Sequence, residues 1–190
     1  NCTVLDMGIV PDTPDATARV LSEAARTADC IISSGGVSVG EEDHVKGQVE
    51  KLGELMLWKL AIKPGKPLAF GRIGDTPVIG LPGNPSSVFV TFCLVARPFI
   101  ARLQGQQEQP MPRFEAVAEF DVTRAGGRQD YLRVMLHNEN GTLTARRYPN
   151  QSSGVLSSVS ASNALAVIPP GRTINAGDTV EVLLLDLLTG

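Results

Sequence analysis

Ser33-Ser34-Gly35-Gly36-Val37-Ser38-Val39-Gly40 follows directly on the largely apolar stretch 28–32, and Gly80-Leu81-Pro82-Gly83-Asn84-Pro85-Ser86-Ser87 follows another at 77–79. Each reads as a strand that ends in a glycine-rich loop and hands over to a helix. At such a junction the backbone N–H groups of the first helical turn are free, and the helix dipole favours negative charge. Between the two loops runs Trp58-Lys59-Leu60-Ala61-Ile62-Lys63-Pro64-Gly65-Lys66-Pro67, with three lysines and no acid among them. Lysine is a compact point charge suited to phosphates and oxyanions. Two anion-friendly loops and a lysine run predict a site that handles a phosphate or another oxyanion.

Working outward, Thr13-Pro14-Asp15 is a helix start, with Thr as N-cap, Pro at the first helical position and an acid in the first turn. The helix is expected over 14–27, with Ala18, Val20, Leu21 and Ala24 facing inward. Strands are expected at 29–33, 55–62, 67–70 and 76–80, a second helix at 41–52, and a long apolar helix at 85–103. This alternation predicts an α/β domain over 1–106, a parallel sheet in a three-layer α/β/α arrangement. The polar, proline-bearing stretch 104–112 reads as a linker. Beyond it the helix signal disappears. Strands are expected at 114–122, 131–137, 142–148, 164–168 and 179–185, with a hairpin turn at Asn140-Gly141 and another turn at 175–178. Five short strands predict a small β-barrel or sandwich over 107–190.

Composition narrows the function classes. The chain has 190 residues and a formal net charge of -3, which gives no long-range attraction to nucleic acid or acidic membranes. No apolar run approaches the ~20 residues of a membrane span, and no secretory leader is legible. Cys2, Cys30 and Cys93 are odd in number and lack CxxC spacing, so neither a disulfide scaffold nor a zinc site is expected. Cys30 and Cys93 read as buried thiols, and the cytoplasm is the default compartment. The phosphate-loop pattern G-x-x-x-x-G-K-[ST] and the dinucleotide pattern G-x-G-x-x-G are absent.

Several features carry two readings. The acids Glu41, Glu42 and Asp43 either complement a helix dipole or, beside a phosphate, help to hold Mg2+, which takes one or two carboxylates plus phosphate oxygens. Lys59 and Lys63 either form a solvated strand face or, with Lys66, point at the same opening as the loops. Pro82 and Pro85 fix a rigid helix entry around Gly83-Asn84, where Ser86 and Ser87 offer hydroxyls and N–H groups. Gly127-Arg128-Gln129-Asp130-Tyr131-Leu132-Arg133 and Gln151-Ser152-Ser153-Gly154, read alone, are ordinary surface and turn chemistry.

Together these segments resemble the molybdopterin molybdenumtransferase family, of the MoeA and gephyrin E-domain type. The resemblance rests on Ser34-Gly35-Gly36-Val37-Ser38-Val39-Gly40 followed by Asp43, on Lys63-Pro64-Gly65-Lys66-Pro67, and on Gly80-Leu81-Pro82-Gly83-Asn84-Pro85 with Ser87. Arg128 with the following Asp-Tyr-x-Arg, and Gln151-Ser152-Ser153, extend it across the rest of the chain. It implies Mg2+-dependent insertion of molybdate-derived molybdenum into adenylylated molybdopterin, with release of AMP. It implies that Asp43 is a catalytic and metal-linked carboxylate, that Lys59 and Lys63 are catalytic, and that Asp12 is a supporting acid. It implies that Lys63, Lys66, Pro67, Ser87, Arg128 and one of Ser152 and Ser153 contact molybdate. The remaining residues of the two loops, Ser34, Gly35, Gly36, Ser38, Gly40, Pro82, Gly83, Asn84 and Ser86, are expected at the bound substrate. Members of the family carry two further N-terminal domains and act as homodimers whose site the other subunit completes. A molybdopterin adenylyltransferase is an expected partner. The alternatives are an adenylyltransferase-like enzyme and a non-enzymatic, gephyrin-like scaffold. The lysine-proline segment followed by a β domain argues against the first.

Overall fold

The computed structural model describes residues 2–38, 43–107 and 110–189. In chain order the helices are α1 (Pro14–Thr27), α2 (His44–Leu52), α3 (Pro85–Leu103), α4 (Ser157–Ser160) and α5 (Leu185–Thr189). The strands are β1 (Ile31–Ser34), β2 (Glu54–Trp58), β3 (Ile62–Lys63), β4 (Ala69–Ile73), β5 (Thr76–Leu81), β6 (Phe114–Ala118), β7 (Gln129–Glu139), β8 (Thr142–Arg147), β9 (Ala164–Ile168) and β10 (Thr179–Leu184). Two compact units result. The first comprises Asn1–Leu60 and Pro67–Gly83, and the second Ala61–Lys66 and Asn84–Gly190.

The first unit is an α/β unit around a four-stranded sheet in the order β1-β5-β4-β2. Thr13 caps α1 by accepting a hydrogen bond from the Ala16 N–H at 3.3 Å, and Pro14 opens the helix as expected. Leu21 and Ala24 of α1 and Val49 of α2 bury against Ile31 and Val78 of the sheet. Within this unit both helices contribute to that one core. The sheet is not wholly parallel: β1 and β5 pair in parallel, while β5–β4 and β4–β2 are antiparallel. The physical reason lies at Gly74-Asp75. Ile73 pairs directly with Thr76, leaving a two-residue connection that can join only antiparallel strands, and Gly74 takes the positive φ of 58° that the turn needs. The strand expected over 55–62 stops at Trp58, because Lys59 adopts φ 82° and turns the chain out of the sheet.

The second unit is a closed five-stranded barrel in the order β7-β8-β6-β10-β9, sealed by pairing of β7 with β9. Alanines at 116, 118, 145, 164 and 166 fill its interior with Leu132, Val134, Val180 and Val182. Small side chains suit the narrow lumen of so few strands. Asn140 (φ 51°) and Gly141 (φ 85°) form the expected hairpin between β7 and β8. The strand β3 joins this unit, pairing in parallel with β7 through Ile62↔Gln129 and Lys63↔Asp130.

Helix α3 packs Val90 and Cys93 on Tyr131, Leu165, Val167, Leu183, Leu185 and Leu188. It therefore groups with the barrel in the second compact unit, which resumes at Asn84. Its middle turn, Phe92–Ala96, is a π-helix in which the Arg97 N–H bonds to the carbonyl of Phe92. Pro98 follows at once and has no N–H to continue the regular ladder. By length and composition alone this 19-residue helix is apolar enough to cross a membrane, contrary to the reading of the sequence, yet Val90 and Cys93 seat one face of it in a buried core. The short helices α4 and α5 were not expected.

Candidate functional site

The two glycine loops meet within the first unit. The Gly35 N–H donates to the Leu81 carbonyl at 2.9 Å, and the Ser34 hydroxyl donates to the Pro82 carbonyl at 3.4 Å. Gly35 and Gly36 adopt φ of 89° and 71°, a region L side chains rarely enter. A Cβ at Gly36 would stand 2.6 Å from Val45 Cγ2, and one at Gly80 would stand 2.4 Å from Val37 Cγ1. Gly83 faces Gly35, 3.6 Å from its Cα when a Cβ is added. Ser38 is exposed, Gly40 lies outside the described residues, and Asp43 stands at the N-cap position of α2. The expected start of that helix at 41 also falls partly outside the described residues. Asp12 is exposed ahead of α1.

Lys59 lies 3.7 Å above the ring of Trp58, and Lys46 of α2 lies 4.4 Å from the same ring. The Trp58 indole N–H donates to the carbonyl of Val37 at 3.0 Å. Neither Trp58 nor Lys46 was singled out by sequence reasoning. Trp58 was visible as the first residue of the lysine run, whereas nothing in the sequence tied Lys46 to it.

In the second unit, Lys63 pairs with Asp130 at 2.8 Å, and Arg128 donates to the Ile62 carbonyl at 3.1 Å. A Cβ at Gly65 would meet Thr91 Cγ2 at 2.4 Å and the Ser87 carbonyl at 3.7 Å, so the Lys63–Lys66 turn sits on the first turns of α3. Lys66 is exposed and Pro67 half-buried. Ser86 is fully buried. Its N–H donates to the Ser153 carbonyl at 3.0 Å and its hydroxyl to the Val155 carbonyl at 2.9 Å. Ser87 is also buried, while Ser152 and Asn84 are exposed. Lys63 and Lys66 were expected at a strand end of the α/β sheet. Lys63 instead ends β3, which pairs with β7 of the barrel, and Lys66 follows it.

Arg133, the last residue of the Asp-Tyr-x-Arg run, is 1% exposed. Its guanidinium donates to Ser158 Oγ at 3.0 Å and to the Ser152 carbonyl at 3.2 Å. Burial pulls its pKa below the ordinary arginine value, opposed by the charge of Asp130. Gln151 reinforces the loop, accepting from the Arg133 N–H at 3.0 Å and donating to the Arg133 carbonyl at 2.9 Å. Sequence reasoning quoted Arg133 and Gln151 but gave neither a role.

Residues 1–102 match the family described as "probable molybdopterin binding domain", and residues 115–185 match "MoeA C-terminal region (domain IV)". This chain belongs to the MoeA-type molybdopterin-binding family. The "molybdopterin molybdenumtransferase" of Haemophilus influenzae is 40% identical to it over 193 residues, covering 100% of this chain and 48% of that protein. The protein of the same name from a Nostoc species is 38% identical over 187 residues, covering 95% of this chain and 43% of its own length. The crystal structure of a molybdopterin biosynthesis MoeA protein from Pyrococcus horikoshii superimposes with a TM-score of 0.77 at 29% identity, over 97% of this chain and 43% of that one. A molybdenum cofactor biosynthesis protein from Pyrococcus furiosus gives 0.72 at 28%, over 94% and 57%. The chain thus spans about half the length of the curated relatives it matches.

Among the described residues no three His, Cys, Asp or Glu side chains gather into a metal cage. Magnesium does not require one, since it is held by one or two carboxylates together with substrate phosphate oxygens. Asp43 places one carboxylate at the N-cap position of α2.

Proposed function

We propose that this chain takes part in molybdenum cofactor biosynthesis as a molybdopterin molybdenumtransferase, inserting molybdate-derived molybdenum into adenylylated molybdopterin with release of AMP. The observation that carries this reading is the gathering, within the second unit, of four pieces distant in sequence. These are the Lys63–Lys66 turn, the start of α3 at Ser86 and Ser87, Arg128, and the loop at Ser152 and Ser153. Lysine and arginine supply charge for a tetrahedral oxyanion, and the buried serines orient the loops that surround it. Pro67 shapes the exit of the lysine turn, and Asn84 precedes the helix start.

In the first unit the glycine loops, with Ser34, Gly35, Gly36, Ser38, Gly40, Pro82 and Gly83, would cradle a phosphate of the substrate. Lys59 would neutralise charge there, with Asp12 as a supporting acid. Asp43 would hold Mg2+, which supplies polarisation of the adenylate phosphate when bound. The active form would be a homodimer, served by a molybdopterin adenylyltransferase partner in the cytoplasm.

The test is molybdenum transfer by the full-length protein that contains this chain, supplied with adenylylated molybdopterin and molybdate, with AMP release as readout. Asp43→Asn is expected to fold normally and to abolish Mg2+-dependent AMP release. Lys63→Ala and Lys66→Ala are each expected to weaken molybdate binding by roughly ten- to a hundredfold, the worth of one charged hydrogen bond. Wild-type release in the first and unchanged affinity in both others would overturn the assignment.

A further inference from the structure

Trp58 ends β2 half-buried and belongs to none of the three buried cores, so filling an interior does not explain it. Three other groups converge on it. Its indole N–H holds the Val37 carbonyl at 3.0 Å, and the ammonium groups of Lys59 and Lys46 lie 3.7 and 4.4 Å from its ring centre. The Lys46 N–H in turn donates to the Gly36 carbonyl at 3.3 Å, which ties the same helix turn to the glycine loop. Lys59 is held there in a strained backbone conformation, φ 82°, which the neighbouring Lys59 N–H to Leu68 carbonyl bond of 3.0 Å helps to fix. Two like charges on one ring repel each other. Glu50 neutralises Lys46 at 3.0 Å, whereas none of the ion pairs among the described residues includes Lys59. Among the described residues the arrangement therefore carries one uncompensated positive charge, beside Gly36 and Val37 of the loop.

We propose that Trp58 is a positioning residue: its indole edge fixes the glycine loop through Val37, and its ring holds Lys59 and Lys46 as a paired-cation shelf for a phosphate group bound at that loop. This rests on the reading of the glycine loop as a phosphate cradle. It adds Lys46 and Trp58 to that site and gives the strain at Lys59 a purpose. Trp58 acts only through the groups it holds.

Trp58 is the only tryptophan of the chain, so its emission reads this one place. The experiment uses the 190-residue chain and inorganic pyrophosphate as probe. Without ligand, Lys59→Met and Lys46→Met are each expected to raise Trp58 emission, because an ammonium over the ring quenches it. In calorimetric titration, Trp58→Leu is expected to weaken pyrophosphate binding by about 2- to 30-fold, the range of a cation–π contact, and Trp58→Phe less. Trp58→Leu combined with Lys59→Met is expected to lose less than the two single losses multiplied, since the first acts through the second. Circular dichroism monitors folding, and Trp58→Phe carries the test if the leucine variant does not fold. Unchanged emission in the lysine variants, or fully multiplicative losses, would overturn the role of Trp58 while leaving the phosphate reading in place. Absence of pyrophosphate binding by the wild-type chain, with the emission changes of the lysine variants present, would overturn the phosphate reading itself, and the shelf with it.

Discussion

In the first unit the loop after β1 is held chiefly by its backbone, with one side-chain bond each from Ser34 and Trp58, and in the second the loop at 149–156 is held chiefly by side chains, with one main-chain bond from Ser86. Gly35 and Gly36 keep positive φ angles, Gly35 bonds main chain to main chain with Leu81, and Gly36 and Gly80 leave no room for a Cβ. The serine loop instead hangs on Arg133, Ser86 and Ser158, each reaching it through a side-chain hydrogen bond, while its own Gln151 reaches back to the Arg133 carbonyl. A loop fixed mainly by backbone has few ways to fail, and most of them are steric. A loop fixed by a polar network fails by degrees, and its members are coupled.

Gly36→Ala should expose the difference most sharply. It brings αL strain of about 1–2 kcal/mol and a clash with Val45 that adds roughly 1–3 kcal/mol. Urea unfolding should therefore show the chain destabilised by about 2–5 kcal/mol, with the change read at Trp58 in the first unit. A loss under about 1 kcal/mol would mean that the backbone tolerates what the geometry forbids.

Arg133→Met attacks the polar loop at its buried charge. Losing two charge-assisted bonds, with the Ser152 carbonyl left short of a donor, should destabilise by about 2–3 kcal/mol. Hydrogen exchange should accelerate at the amides of 151–155 and not at 31–38. Equal acceleration in both regions would erase the distinction between the units.

Ser86→Ala is milder, about 1–2 kcal/mol. Ser86 Oγ and Ser158 Oγ lie 3.3 Å apart, so Ser86→Ala and Ser158→Ala should combine non-additively in thermal melts. Strict additivity would show that the serines are independent.

The smallest effect concerns Cys93, whose thiol burial pushes up to about 11 from an ordinary 9.0, with the Arg97 charge opposing. A buried neutral thiol stabilises the fold below pH 9, and that contribution is lost as pH rises toward 11. The melting temperature of the wild-type chain should fall more steeply across that window than that of Cys93→Ala. At pH 8, iodoacetamide should label exposed Cys2 first and Cys93 last; early labelling of Cys93 would contradict its burial. Cys30 is half-buried rather than fully enclosed, and its thiol is raised chiefly by desolvation.

The backbone-held region was legible because its determinants are local. Thr13-Pro14 marked α1 and the paired glycines marked a loop, and in the second unit the equally local Asn140-Gly141 marked a hairpin. Gly74-Asp75 carried an equally local hairpin signal that was passed over, and the expected parallel sheet came from that omission. The polar region was not legible for a different reason. The bonds from Ser86 to Val155 and to Ser158 join positions 69 and 72 apart, and no spacing rule brings such positions together. β3 was hidden likewise: Ile62–Lys63 reads as the tail of an apolar strand, and only pairing with Gln129–Asp130 gives it away.

That two-residue strand also sets an order of events as the chain is made. Lys63 and its partner Asp130 lie 67 positions apart. At about 5–20 residues added per second, Lys63 leaves the ribosome roughly 3–13 s before the acid that will hold it. The strands flanking the excursion need not wait, because Trp58 pairs with Ala69 and β4 turns straight back into β5. The nascent chain can thus close its first sheet around a dangling lysine loop, and the later-born barrel then collects that loop as its sixth strand.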